Sequence, residues 1–427
     1  MMAYSHSALE MVFLFSVVLL WAMIFYQMIF TYLGYVYHLR ARREKKHLDA
    51  SILTGLPPVS VLVPAHNEAL VIEKTLEALL RLDYPAERIE IVIIDDGSSD
   101  ETARIVEHAT HLDSRVRLFH IPVEEAARGK SHALNLGLAQ ARHDLIAVYD
   151  ADNTPEPGAL KYLVLTLLQN ERLCACFGKF RTANRQRNLL TRFINLETLA
   201  FQFMIQAGRY LISRIAILPG TNMLVRRAVL EAVGRWDENA LTEDTELSIR
   251  LYEQGHEIKF VPFAVTWEEE PEQWGTWIRQ RTRWVRGSFY VLRKYLVRSL
   301  RFRKPFLTLE LLHLFLLYYL FLAAILMSHI IFLLSSLGFV AVLSPGPYFG
   351  VWVCAFALFV AEVTLAAAYE DEASPTNLAV IALMYFTYCQ GWILLVFRAT
   401  YQEMVEKGAV RWEKTRRVGS ASAGEEP

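Results

Sequence analysis

The sequence predicts an α/β domain with a mostly parallel sheet, embedded in an α-helical transmembrane bundle. Of its 427 residues, 53% are hydrophobic and only 21% charged, more apolar than an ordinary soluble enzyme. The apolar excess lies before about residue 40 and after about residue 305, leaving 57–300 with globular composition. Within that middle, short apolar runs alternate with amphipathic stretches. This is the pattern of βαβ units, which place ligands at the carboxyl ends of their strands. A formal net charge of −1 argues against nucleic acid as a partner. Cys174, Cys176, Cys354 and Cys389 lack the second ligand pair of a zinc site, so free thiols are expected and no disulfide framework.

Residues 9–37 are almost uninterruptedly apolar, longer than the roughly 20 residues needed to cross a bilayer. With no basic n-region and no small-residue cleavage site, 1–38 reads as a retained anchor. A basic linker, 39–56, follows; its cluster Arg40–Lys46 places the next domain in the cytoplasm, at the plasma membrane. Residues 59–64 predict a buried strand, and Asn67 and Glu68 open a helix that runs through Leu80. Residues 89–94 predict a second strand, ending in Asp95-Asp96-Gly97-Ser98, where Ser98 and Glu101 would form a capping box. Further strands are expected at 116–121 and 144–149, with helices at 130–141 and 157–169. There is no GxGxxG after the first strand, which disfavours a dinucleotide site. Two amphipathic segments, 189–212 and 274–296, are expected on the membrane surface, with packing inside the domain as the alternative for the first. In 301–400, apolar runs at 307–343, 348–368 and 378–397 predict the carboxy-terminal membrane helices. The basic residues of the tail, 401–427, favour a cytoplasmic end, hence four crossings with a hairpin or interfacial helix in the long first run.

Three acidic motifs sit at the breaks in this pattern. Asp95 and Asp96 end the second strand. Asp150-Ala151-Asp152 follows the strand at 144–149; as an extended i, i+2 pair, its carboxylates would face one side and repel without a cation between them. Oxygen donors of this kind favour Mg²⁺ or Mn²⁺. Thr242-Glu243-Asp244 opens a helix, which puts Asp244 in its first turn. On a later helix Gln280, Arg283 and Trp284 share a face at i, i+3, i+4. Each has a plainer structural reading: Thr242 as an N-cap, Asp150–Asp152 as a solvated turn, the arginines as a juxtamembrane belt, and the tryptophans at 267, 274, 277 and 284 mostly as interfacial anchors.

Taken together and in this order, DD, DxD, TED and QxxRW resemble the processive glycosyltransferases of family 2, which include cellulose, chitin, hyaluronan and poly-N-acetylglucosamine synthases. The resemblance implies a GT-A nucleotide-diphospho-sugar transferase domain over 57–300 that inverts the sugar of a UDP-sugar donor. It implies that Asp95 and Asp96 hold the nucleoside and that Lys130, in Gly129-Lys130…Ala133-Leu134-Asn135, approaches the nucleotide, with Glu68 on the same donor side. It places Mg²⁺ or Mn²⁺ on Asp152 helped by Asp150, and the diphosphate on Gln280 and Arg283. Asp244, with Glu243 beside it, becomes the catalytic pair and Trp284 the acceptor platform. Pro219-Gly220-Thr221-Asn222 matches the acceptor loop loosely, since relatives often carry Cys-Gly-Ser there, so Gly220 and Thr221 are acceptor candidates by position. The implied partners are membrane lipids and a growing polysaccharide or a lipid-linked acceptor, with an export or regulatory protein where control requires one. A glycolipid synthase would use the same motifs. A non-catalytic nucleotide-sugar binder or transporter would need no base.

Overall fold

The computed structural model describes residues 8–50, 55–300, 305–339 and 348–405. Eight strands form one sheet in the order β3-β2-β1-β4-β7-β6-β8-β5. The strands β1 (Val59–Ala65), β2 (Ile89–Asp95), β3 (Val116–His120) and β4 (Leu145–Val148) are parallel, as their alternation with helices predicts. The sheet is mixed beyond β4. β7 (Met223–Arg226) lies antiparallel to both β4 and β6 (Leu173–Thr182), β6 is parallel to β8 (Glu257–Glu268), and the short β5 (Thr154–Pro155) closes the edge antiparallel to β8.

Both faces of the sheet are covered, so β2 is buried along its whole length. Side chains alternate between the layers. Val61 and Val63 pack with α2 (Ile72–Leu80) and α5 (Ala159–Leu168), and α3 (Thr102–Leu112) completes that side; Leu62 packs on the opposite face with α4 (Lys130–Gln140). α8 (Arg227–Ala232), α9 (Glu243–Glu253) and α10 (Trp274–Ser299) join α4 on that side.

Several expectations are corrected. α1 runs Ala8–Ala50, so the basic residues expected in a linker lie on a helix. Tyr37, Ala41 and Leu48 continue its buried stripe onto the domain, and Glu44 accepts from Lys259 at 2.5 Å. Residues 51–54 lie outside those described. α2 starts at Ile72 and not at Asn67, because Asn67 has φ 55° and its side chain accepts from the backbone of Ser99. The capping box does not form: Ser98 Oγ accepts from Asn67 N, and Asp100 takes the amide of Thr102. Asp150–Asp152 is a turn rather than an extended pair, closed by Asn153 N donating to Asp150 O at 3.0 Å. The segment 189–212 forms α6 (Leu189–Ala200), a π turn (Phe201–Gln206) and α7 (Ala207–Ser213); Phe193, Ile194 and Met204 are buried, so it packs inside the protein. Trp277 is also buried and donates to Tyr388 Oη, which removes it from any headgroup belt.

Past α10, α11 (Pro305–Phe315), a π turn and α12 (Leu322–Ser336) form one uninterrupted rod. That leaves no hairpin in the described part of this run. α13 (Tyr348–Ala368), α14 (Pro375–Phe386) and α15 (Tyr388–Val405) follow. Among the described residues three helices are long and apolar enough to cross a membrane, Glu10–Ala50, Pro305–Ser335 and Pro375–Val405, while Trp352–Ala368 is a shorter apolar helix. The four expected carboxy-terminal crossings are therefore not matched by four such helices. The basic residues that argued for them, Lys407 to Arg417, lie outside the described residues.

Candidate active site

The strand ends and two helix faces converge on one cavity of about 740 Å³. Glu68, Asp96, Lys130, Asp150, Asp152, Thr221, Glu243, Asp244, Gln280, Arg283 and Trp284 all line it, so the structure unites nearly every residue the motifs singled out. Asp95 and Gly220 are the exceptions. Asp95 ends β2 with its oxygens turned to protein partners, Ser98 N at 3.1 Å and His120 Nδ1 at 3.0 Å. Asp96 accepts from Ala127 N at 2.7 Å, and burial raises its carboxyl above the usual range.

Lys130 stands at the centre. As the first residue of α4, its Nζ lies 2.5 Å from Asp150 Oδ1 and 3.7 Å from Glu243 Oε1, and donates to Gly220 O at 3.0 Å. Burial alone would depress this ammonium; Asp150 and Glu243 outweigh it and hold the pKa above normal. Burial raises Asp150 in turn, Lys130 opposes that rise, and Asp152 adds to it.

Asp244 sits in the first turn of α9, as its motif predicts. Burial, and then the neighbouring Glu243 carboxylate, push it up to about 7, against the Thr245 amide donating to Oδ1 at 2.6 Å and the charges of Lys130 and Arg283. Arg283 is lowered by burial, with Glu243 and Asp244 opposing, and donates to Leu241 O at 3.2 Å. The N-cap reading of Thr242 fails, because its side chain caps nothing. Instead Thr242 is pressed against Gly287 of α10, where an added Cβ would stand 2.4 Å from it. That close approach brings the QxxRW face against the TED turn.

Gly220 and Thr221 hold the site together. Gly220 has φ 80°, and a Cβ there would lie 3.0 Å from Asp244 Oδ2 and 3.4 Å from Lys130 Nζ. Thr221 Oγ1 accepts from Asp150 N at 3.0 Å and pairs with Asn153. Gly220→Ala should therefore cost about 1 kcal/mol in backbone strain and displace the Asp244 carboxylate. Transfer assays beside thermal unfolding should show activity falling far more than stability.

Asp150 and Asp152 supply only oxygen, and the described residues contain no cluster of three or more His, Cys, Asp or Glu able to cage an ion. Two carboxylates on a cavity wall fit an ion whose other ligands arrive with a diphosphate.

The cavity also reaches farther than the motifs foretold, to Tyr26 and Gln27 of α1, Arg209 of α7, and Glu310 and His313 of α11. Glu310 pairs with Arg209, and Tyr26 Oη lies 3.4 Å from His313 Nδ1. Glu310 and His313, spaced i, i+3 in an otherwise apolar run, were the overlooked signal, since ionisable groups in such runs mark inward faces.

Comparison with known proteins agrees with this geometry. The family described as "Glycosyltransferase like family 2" matches residues 57–287. The chain is 41% identical over 423 residues to "Probable glycosyltransferase YdaM" of Bacillus subtilis (strain 168), covering 96% of this chain and 99% of that one. It is 34% identical to the poly-β-1,6-N-acetyl-D-glucosamine synthase of Staphylococcus epidermidis over 235 residues, 55% of each chain. The mannosyltransferase PcManGT from Pyrobaculum calidifontis, solved with GDP-Man and Mn²⁺, shares the fold at TM-score 0.57 and 20% identity, covering 94% of this chain and 100% of that one. The protein is thus a family 2 glycosyltransferase, with a GT-A-like mixed sheet and apolar helices of membrane-spanning length.

Proposed function

We propose that the protein is a membrane-bound inverting transferase that passes a sugar from a UDP-sugar to a growing polysaccharide, coupled to export. One observation carries this reading: the carboxylates at the strand ends, the TED turn and the QxxRW face line a single cavity that continues between α1, α7 and α11. The relationship to a poly-N-acetylglucosamine synthase supports a polymer product. The basic residues 40–46 support a cytoplasmic catalytic domain.

In this reading Asp96 and Glu68 meet the nucleoside end of the donor, while Gln280 and Arg283 bind its diphosphate. Arg283 is suited to this by its planar fork. Asp152, helped by Asp150, would hold a divalent ion that stabilises the departing diphosphate. PcManGT, solved with Mn²⁺, supports that assignment. Asp244 takes the proton of the acceptor hydroxyl as it attacks the anomeric carbon. Glu243, beside it and within reach of Lys130, raises its basicity. A second reading, transfer of one sugar to a lipid-linked acceptor, draws on the apolar inner lining at Met23, Leu314, Leu317 and Phe321.

Chelation should abolish transfer, and Mg²⁺ or Mn²⁺ should restore it. Asp152→Asn should lose metal-dependent UDP binding, read calorimetrically, while remaining folded and membrane-inserted. Full transfer in excess chelator would remove the metal from the mechanism.

A further inference from the structure

On the cavity wall a single carboxylate collects hydrogen bonds from three side chains on two other helices. Glu197, on α6, accepts at Oε2 from Arg281 Nη2 at 3.0 Å and from Tyr388 Oη at 2.6 Å, and at Oε1 from Trp392 Nε1 at 2.9 Å. Tyr388 Oη in turn accepts from Trp277 Nε1 at 3.0 Å, closing the cluster back onto α10. Arg281 is only 1% exposed, and its guanidinium lies over the Trp284 ring, 3.9 Å from the centroid. Its Nη1 also reaches Gln280 Oε1 at 3.4 Å. Trp284 itself is 37% exposed and lines the cavity.

A buried guanidinium needs a fixed counter-charge, and a ring held on one face by a cation leaves the other for a ligand. We propose that Glu197 and Arg281 are positioning residues: Glu197 fixes Arg281, and Arg281 backs the Trp284 ring so that its opposite face is presented to the acceptor sugar. This rests on the transferase reading above and on Trp284 as the acceptor platform. Neither Glu197 nor Arg281 need touch the reacting atoms. Because Tyr388 and Trp392 belong to α15, the brace ties the acceptor platform to a helix of the bundle. A tryptophan on a frayed or rotating side chain would bind a sugar weakly; one clamped against a guanidinium is preorganised.

Glu197→Gln tests the brace with little change of shape. All three partners of Glu197 are donors, so the glutamine NH₂ must face one of them and a hydrogen bond is lost. Acceptor use, measured as the acceptor kcat/KM or as product length, should fall roughly tenfold, with UDP affinity changed by less than about twofold. The decisive comparison repeats the substitution in a Trp284→Ala background. If Glu197 acts through Trp284, the second loss should nearly vanish there, because the ring it positions is gone. An equal loss in both backgrounds, or a fall in UDP affinity as large as that in acceptor use, would overturn the proposal. Should Glu197→Gln fail to accumulate in membranes, Arg281→Lys carries the same test, since it keeps the charge facing Glu197 but loses the planar lid over Trp284. Arg281→Lys with wild-type product length would refute the stacking role. A wild-type protein that makes no product overturns the transferase reading and the brace together; additive losses in an active enzyme overturn the brace alone.

Discussion

Asp244→Asn should lower turnover by about 10²–10⁴-fold, the usual worth of a positioned general base. The substitution keeps the shape and the acceptor of the Thr245 amide, which donates to Oδ1 at 2.6 Å, so the start of α9 should survive. UDP affinity should stay near that of the wild type, because Gln280, Arg283 and Asp96 remain. The same carboxylate sets the pH profile. With burial and Glu243 raising it to about 7, Asp244 is protonated in acid and cannot take the acceptor proton. The acceptor kcat/KM should therefore fall about tenfold per pH unit below neutrality, rather than below the pH near 4 of an ordinary carboxyl. Near wild-type turnover in Asp244→Asn, or an acid limb near pH 4 in the wild type, would reduce Asp244 to a helix-start carboxylate.

Lys130→Met should be the most damaging change to stability in the site. Lys130 Nζ is the cation that lies against Asp150 at 2.5 Å and Glu243 at 3.7 Å, with Asp244 close enough to raise its pKa further. Removing one partner strands buried charge, at a cost of about 3 kcal/mol; this is the lower end for a buried pair, because Asp150 keeps 33% of its side-chain surface. The sign of the pH effect follows from the carboxylates. Asp150 and Asp244 are held above their unfolded range, so the folded protein binds more protons and these groups weaken folding as pH rises through that interval. Without Lys130 the rise grows, so the variant should lose most stability at neutral pH and recover part of it in mild acid. Thermal melts at pH 5.5 and 7.5 measure this directly; an equal Tm loss at both would show that Lys130 does not neutralise the cluster.

The sequence carried the core of this arrangement and missed its edges for physical reasons. Alternating strand and helix patterns located β1 to β4, because buried parallel strands require continuous apolar runs. The later strands β5 to β8 escaped notice: β6 and β8 are long, but Gly178, Lys179 and Arg181 break the apolar run of one and Glu257, Lys259 and Pro262 that of the other. Asp150, Asp152 and Asp244 were legible because motif order is a one-dimensional property. Their partners were not, since the contact of Lys130 with Asp150, twenty positions away, depends on how α4 meets the end of β4. Asp95 shows the converse. Its motif implies a carboxylate free for the nucleoside, yet local turn chemistry claims it, with Ser98 N and His120 taking both oxygens. The basic stretch 40–46 hid the continuation of α1, because the buried stripe of Tyr37, Ala41 and Leu48 runs beneath an exposed charged face. Glu197 gave no signal at all, as a lone glutamate in an amphipathic helix is ordinary until Arg281 and two residues of α15 are seen around it.

The most direct test of the account is transfer itself. Membranes containing the protein should be incubated with one labelled UDP-sugar at a time and Mg²⁺, and the products sized. One UDP-sugar should label a polymer of many units, and Asp244→Asn should abolish the label. Label confined to a single sugar on lipid would replace polymer synthesis with glycolipid synthesis. Transfer from a guanosine-linked donor alone, or none from any UDP-sugar, would contradict the donor assignment.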